Sequence, residues 1–205
     1  MRRNVKTDVL RMVELAMLLA LVIVLQSIGG MIKIGPFAPS LVLIPIVIGS
    51  IVIGPRGGAI LGLAFGAVVV VQCAMGMDAG GFILWGINPF LTALICLVKG
   101  GVAGFVPGLV FRALAGKEPT DGRILVSSIV ASLTAPVINT GLFIIGLSVF
   151  FKSTLYAWSG GTDIMLYIIT GLVGINFLIE FGINAIVSPA VSTIVKVVTR
   201  KLYKK

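Results

Sequence analysis

Six apolar stretches, separated by short polar or Gly/Pro-rich breaks, run the length of the chain. The first covers about residues 9–28 and the second about 40–53, with Pro45 inside it. Gly54-Pro55-Arg56-Gly57-Gly58 ends the second stretch, because Pro and Gly together stop helices. The third covers about 58–75, the fourth about 88–111, the fifth about 124–151 and the sixth about 163–198. A spanning helix needs about 20 mostly apolar residues. The pattern therefore predicts an all-α fold, a bundle of six transmembrane helices. The second stretch is the shortest and suits a tilted or partly re-entrant segment. The sixth is longer than a bilayer requires, so its end should project into water. Met1-Arg2-Arg3-Asn4 leads into the first stretch with no small-residue cleavage site, which reads as a retained helix rather than a signal peptide.

Composition sharpens this picture. Apolar residues make up 58% of the 205 residues and charged residues only 11%, against about 25% in soluble domains. The mean hydropathy is +1.17. A soluble enzyme, a disordered regulator and a secreted disulfide scaffold are all disfavoured, and residues 1–205 read as a single integral membrane domain. The net charge of +9 is a topology signal rather than a nucleic-acid footprint. With six spans both termini share one side. That side carries thirteen basic residues: Arg2, Arg3, Lys6, Arg11, Arg56, Arg112, Lys117, Arg123, Lys196, Arg200, Lys201, Lys204 and Lys205. The other side has only Lys33 and Lys152. The positive-inside rule makes the first side, with both termini, cytoplasmic.

The outward connections are then residues 29–39, 76–87 and 152–162. They are rich in glycine and aromatic residues, including Trp85 and Trp158, whereas the inward breaks are charged and plain. Such connections suit a lid over a small-molecule pocket; the plainer reading of the tryptophans is an interfacial aromatic belt. Cys73 and Cys96 lie inside apolar runs and read as small buried hydrophobes. The absence of His rules out His-ligated metal sites and a Ser-His-Asp triad. No metal site, no cofactor and no catalytic residue is expected.

Small residues recur every four positions at Ala16 and Ala20, at Gly58, Gly62 and Gly66, and at Gly100, Gly104 and Gly108. This spacing puts each set on one helical face and lets backbones approach closely. The glycine series read as internal packing. Gly54-Pro-Arg-Gly-Gly-Ala lacks the Gly-Lys-Ser/Thr ending of a phosphate loop.

Polar groups at membrane depth are costly and therefore candidates for function. Lys99 and Glu180 are the two opposite charges well inside the bundle, and an ion pair between the fourth and sixth spans is their simplest account. Pro136 tends to kink the fifth span near Asn139 and Thr140. Asn176, Glu180 and Asn184 share a stripe on the sixth, and Asn88 and Thr92 lie one turn apart on the fourth. Neutral polar groups converging in an apolar wall describe a site for a small ligand with several hydrogen-bonding groups. Inter-helix hydrogen bonding is the alternative for each Asn.

Six short spans, Ala16-Met-Leu-Leu-Ala20, and Pro39-Ser-Leu-Val-Leu-Ile-Pro45 leading to Gly54-Pro-Arg-Gly-Gly-Ala-Ile-Leu-Gly-Leu-Ala-Phe-Gly66 resemble the substrate-binding S component of an energy-coupling factor (ECF) vitamin transporter. The resemblance covers nearly the whole chain. It implies a non-enzymatic subunit in a bacterial-type cell membrane that captures a water-soluble vitamin from outside. It further implies partners: a transmembrane coupling subunit, met through Ala16 and Ala20, and two cytoplasmic ATPases that power import. The second and third spans look most like the pantothenate-type branch, with riboflavin or another vitamin as alternatives. Lys33 or Lys99 would meet the carboxylate of pantothenate. Trp85, Asn88, Thr92, Asn139, Asn176 and Glu180 complete the expected substrate-binding set. The competing class is a self-sufficient secondary transporter using Lys99 and Glu180, although no convincing repeat relates residues 1–100 to 101–205. No paired-acid or Gly-x-Ser-x-Gly signature supports a membrane enzyme.

Overall fold

A computed structural model describes residues 5–29, 42–116, 119–161, 163–168, 170 and 174–203, and the regular elements among them are helices. In chain order these are α1 (Val5–Gly29), α2 (Leu43–Val52), α3 (Pro55–Ala74), α4 (Ala79–Ile87), α5 (Pro89–Ala115), α6 (Asp121–Phe150), α7 (Lys152–Ser159), α8 (Ile164–Tyr167) and α9 (Gly174–Tyr203). Five helical stretches are long and apolar enough to cross a membrane: Val9–Gly29, Pro55–Ala74, Pro89–Ala115, Asp121–Phe150 and Phe177–Val198. The all-α expectation holds, and five of the six predicted spans appear as long apolar helices.

The second predicted span differs. Its helix α2 has only 10 residues, so at about 1.5 Å per residue it covers roughly half of a 30 Å hydrocarbon core. Pro45 sits in its first turn, where a missing N–H costs nothing. Gly54, at φ 119°, turns the chain sharply into Pro55. A half-length helix survives because protein surrounds it. Leu43, Ile46 and Val47 are fully buried, and α2 packs against α1, α3, α5, α6 and α9.

Two outward connections read as loops contain helices. Asp78 caps α4 by accepting from the Gly81 N–H at 2.6 Å, and Gly160, left-handed at φ 59°, ends α7. The sixth predicted span holds α8 and, from Gly174, α9; residues 169 and 171–173 between them lie outside the described residues.

The most extensive interface joins α3 to α5. A methyl group on Gly62 would strike the Gly100 carbonyl oxygen, one on Gly100 the Gly62 carbonyl, and Gly58 and Gly104 oppose each other in the same way. The obstacles are backbone atoms, so only glycine fits, and the two glycine series do pack inside the bundle. The pairing also runs α3 and α5 antiparallel, with the Gly54 turn against the Arg112 guanidinium. The start of α3 and the end of α5 therefore share one basic end of the bundle. The α1 helix is peripheral, with only 11% of its apolar window buried. A buried clasp ties it to α3: Gln26 Nε2 donates to Gln72 Oε1 at 2.9 Å, and Gln72 Nε2 donates to the Gln26 carbonyl at 3.0 Å.

Candidate functional site

The polar residues at depth converge only in part. Lys99 lies in the first half of α5, toward the end away from Arg112. Its ammonium stands 4.7 Å from the Phe143 ring centroid and 5.9 Å from that of Phe65. Both rings offer their electron-rich faces to the charge. The ammonium borders a cavity walled by Val69, Cys73, Asp78, Gly81, Leu84, Thr92, Ile95, Cys96, Lys99 and Phe143. Four helices and the α4 cap thus supply its walls. Its room is about 30 Å³, the share of one water molecule.

Thr92 is 2% exposed on this wall, and its hydroxyl donates to the Asn88 carbonyl at 2.9 Å. Asn88 caps α5, its side-chain oxygen accepting from the Leu91 N–H at 3.1 Å. Trp85, on α4, is half-buried and packs against the main hydrophobic core. Thus α4, Asn88 and Thr92 lie at the end of the bundle away from Arg112, on the N-terminal side of Lys99.

Asn139 is buried on α6 one turn before Phe143, and its side-chain oxygen accepts no hydrogen bond among the described residues. Glu180 is buried on α9, where its carbonyl accepts from Asn184 Nδ2 at 2.8 Å. The expected ion pair is not seen among the described contacts of Lys99, which meets aromatic rings instead. Glu180 does not wall the Lys99 cavity. The α5 and α9 helices each pack on α2 and α6, and Phe143 of α6 occupies the place beside the ammonium. Lys33 and the side chain of Asn176 lie outside the described residues. Thr140 borders a different cavity of about 280 Å³ with Val137, Gly141, Ile144, Ile168, Gly174 and Phe177. Its walls are almost wholly apolar and, among the described residues, offer an anion no cation.

Eight of the ten wall residues were not singled out by the sequence as ligand contacts, Asp78, Cys73, Cys96 and Phe143 among them. Asp78 had a legible signal, an N-cap residue just before an apolar run. Phe143 had none, because one aromatic residue in an apolar helix looks like any other.

On α1, Ala16 and Ala20 are exposed, in a face that includes Met12, Val13, Met17, Leu21 and Val24. The face is apolar, smooth at the two alanines and left uncovered by the other described residues.

A bundle of long apolar helices with a small cation-bearing cavity and an exposed apolar face on α1 has the architecture of a multi-pass membrane protein. The family described as ECF transporter, substrate-specific component, matches residues 10–192, and the chain belongs to that family. It is accordingly a multi-pass membrane protein of a transport system rather than an enzyme. It is also similar to the pantothenic acid transporter PanT of Lactococcus lactis subsp. cremoris (strain MG1363), at 27% identity over 188 residues, covering 86% of this chain and 89% of the relative.

Proposed function

We propose that the protein captures pantothenate at the outer face of the membrane and hands it to an ATP-driven coupling module. The observation that carries this reading is Lys99, a cation held at membrane depth by two aromatic faces beside a cavity rimmed by Thr92. Pantothenate carries one carboxylate together with hydroxyl and amide groups. One ammonium suits the carboxylate, and Thr92, Asn88 and Asn139 suit the rest. The likeness to a pantothenic acid transporter over most of both chains supports the same ligand.

The basic end of the bundle faces the cytoplasm in this reading, and the Lys99 cavity lies in the outer half. Room for one water is too small for a vitamin, since ligand pockets usually measure about 300 Å³ or more. Capture therefore requires the outer rim to open. The short α4 is the natural moving part, because the left-handed Gly76 at φ 74° precedes it and Asn88 at φ −153° follows it. Closure would exclude water and strengthen the few polar contacts. The exposed Ala16–Ala20 face is the docking surface for the transmembrane coupling subunit, and two cytoplasmic ATPases supply the energy.

Calorimetric titration of the purified protein with pantothenate tests the ligand. Saturable heat with 1:1 stoichiometry is expected, and no heat at high micromolar ligand would reject it. Proteoliposomes containing the protein with and without the coupling module test the mechanism. Uptake should require both the module and ATP; accumulation by this chain alone would instead establish a secondary transporter.

A further inference from the structure

The wall of the Lys99 cavity carries an acidic residue as well as a basic one. Asp78, at the start of α4, lines the same wall as Lys99, between Val69, Leu84, Ile95 and Phe143. In apolar surroundings at membrane depth an uncompensated ammonium is costly, and a carboxylate on the same small wall offsets that cost. Asp78 has a second means of support. One of its oxygens accepts the Gly81 N–H at 2.6 Å, and the helix dipole of α4 favours negative charge at that end. The carboxylate can give up the ammonium without losing all stabilisation. The cavity has room for about one water, so an arriving carboxylate that reaches Lys99 competes with Asp78 for the same wall.

We propose that Asp78 is the internal counter-ion of Lys99 and that the carboxylate of the ligand displaces it. Asp78 then acts as a specificity-determining residue. A ligand must bring one negative charge to replace the one it removes. A neutral analogue has no claim on Lys99, and a doubly charged one meets a single cation and a displaced carboxylate nearby. The exchange also links capture to the lid, because Asp78 caps the helix that forms it. Gly81 holds that helix closely on α3, where a methyl group would strike the Cys73 sulfur. This inference rests on the anionic ligand proposed above.

The test is Asp78→Asn, which keeps an N-cap side chain of equal quality and removes only the charge. Pantothenate and the neutral alcohol pantothenol are titrated into wild type and variant by calorimetry. The variant should bind pantothenate about fivefold more tightly, the change expected when one competing partly exposed charge is removed, and should bind pantothenol as wild type does. Unchanged or weaker pantothenate binding, or an equal change for both compounds, overturns the proposal. A second measurement needs no ligand. Thermal unfolding of wild type, D78N, K99M and the double variant in nanodiscs forms a double-mutant cycle. Lys99→Met should lower the melting temperature at least twice as much in wild type as in D78N; equal losses overturn the counter-ion role. If wild type binds no pantothenate, the ligand assignment fails while the thermal cycle still decides the Asp78–Lys99 pairing.

Discussion

Replacing Lys99 by Met removes the charge and keeps a long, flexible apolar stem. The fold loses the contacts of the ammonium with the Phe143 and Phe65 rings, worth about 1–2 kcal/mol together when desolvated. The backbone of α5 is untouched, and its close contact with α3, from Gly66 against Cys96 to Gly58 against Gly104, is made by backbone atoms that the substitution leaves in place. The variant should therefore fold, with a melting temperature a few degrees lower. The effect on the ligand is much larger. A buried carboxylate left without its cation costs about 2–5 kcal/mol, and every 1.4 kcal/mol is about tenfold in affinity. Pantothenate affinity should fall by about 30-fold or more. The assay is calorimetric titration in nanodiscs, with circular dichroism confirming unchanged helix content. Lys99→Arg is the informative companion. It keeps the charge but places a wider planar group between Phe143 and Ile95 in a cavity with room for about one water, so it should rescue only part of the affinity. Wild-type affinity in a folded K99M variant would refute the reasoning and move the anion site away from α5.

Ala16→Trp or Ala20→Trp should leave pantothenate affinity within about twofold of wild type, since surface substitutions rarely shift stability by more than about 0.5 kcal/mol, but should abolish uptake with the coupling module; loss of affinity instead would show that the face packs internally. Gly62→Ala should destabilise the protein by about 1–3 kcal/mol through overpacking against the Gly100 backbone, visible as a lower melting temperature, whereas Gly141→Ala, which meets nothing within 4 Å, should be neutral or slightly stabilising. Ser132→Ala should be neutral or stabilising in thermal unfolding, because its buried hydroxyl oxygen makes no hydrogen bond within the protein and its removal relieves an unmet desolvation cost.

The long helices were legible because a bilayer forces them: apolar runs of about 20 residues have few other uses. The glycine seam was legible too, since Gly every fourth position on two runs has a steric meaning that survives without coordinates. The short elements were not. The α2 segment resembles a truncated span in sequence, and only the burial of most of its residues among five other helices shows why half a span is stable there. The α4 and α7 helices hide in glycine- and aromatic-rich stretches whose composition suggests loops, while their caps, Asp78 and Gly160, are single residues. Lys99 was recognisable as a candidate from its cost at depth. Its neighbours were not, because the charge that looks complementary in sequence, Glu180, lies on a helix that does not line the Lys99 cavity.

That distinction changes how the site works. A lysine locked in an ion pair across the bundle would be a structural rivet, since breaking a buried pair is strongly unfavourable. A lysine seated on aromatic faces is held more softly: cation–π contacts position an ammonium without saturating its three N–H donors. In the proposed exchange the ammonium can therefore trade the Asp78 carboxylate for that of an incoming ligand while staying stable enough to persist at membrane depth. Softness at Lys99 and rigidity at the glycine seam are complementary. The α3–α5 backbone contact fixes where the ammonium stands, and the half-length α2 braces both helices from within the core. Variants in the seam should consequently impair ligand binding only in proportion to lost stability, whereas variants at Lys99 should impair binding far beyond it. Plotting affinity against melting temperature for both groups separates these behaviours, and a single common line would show that Lys99 acts only through the fold.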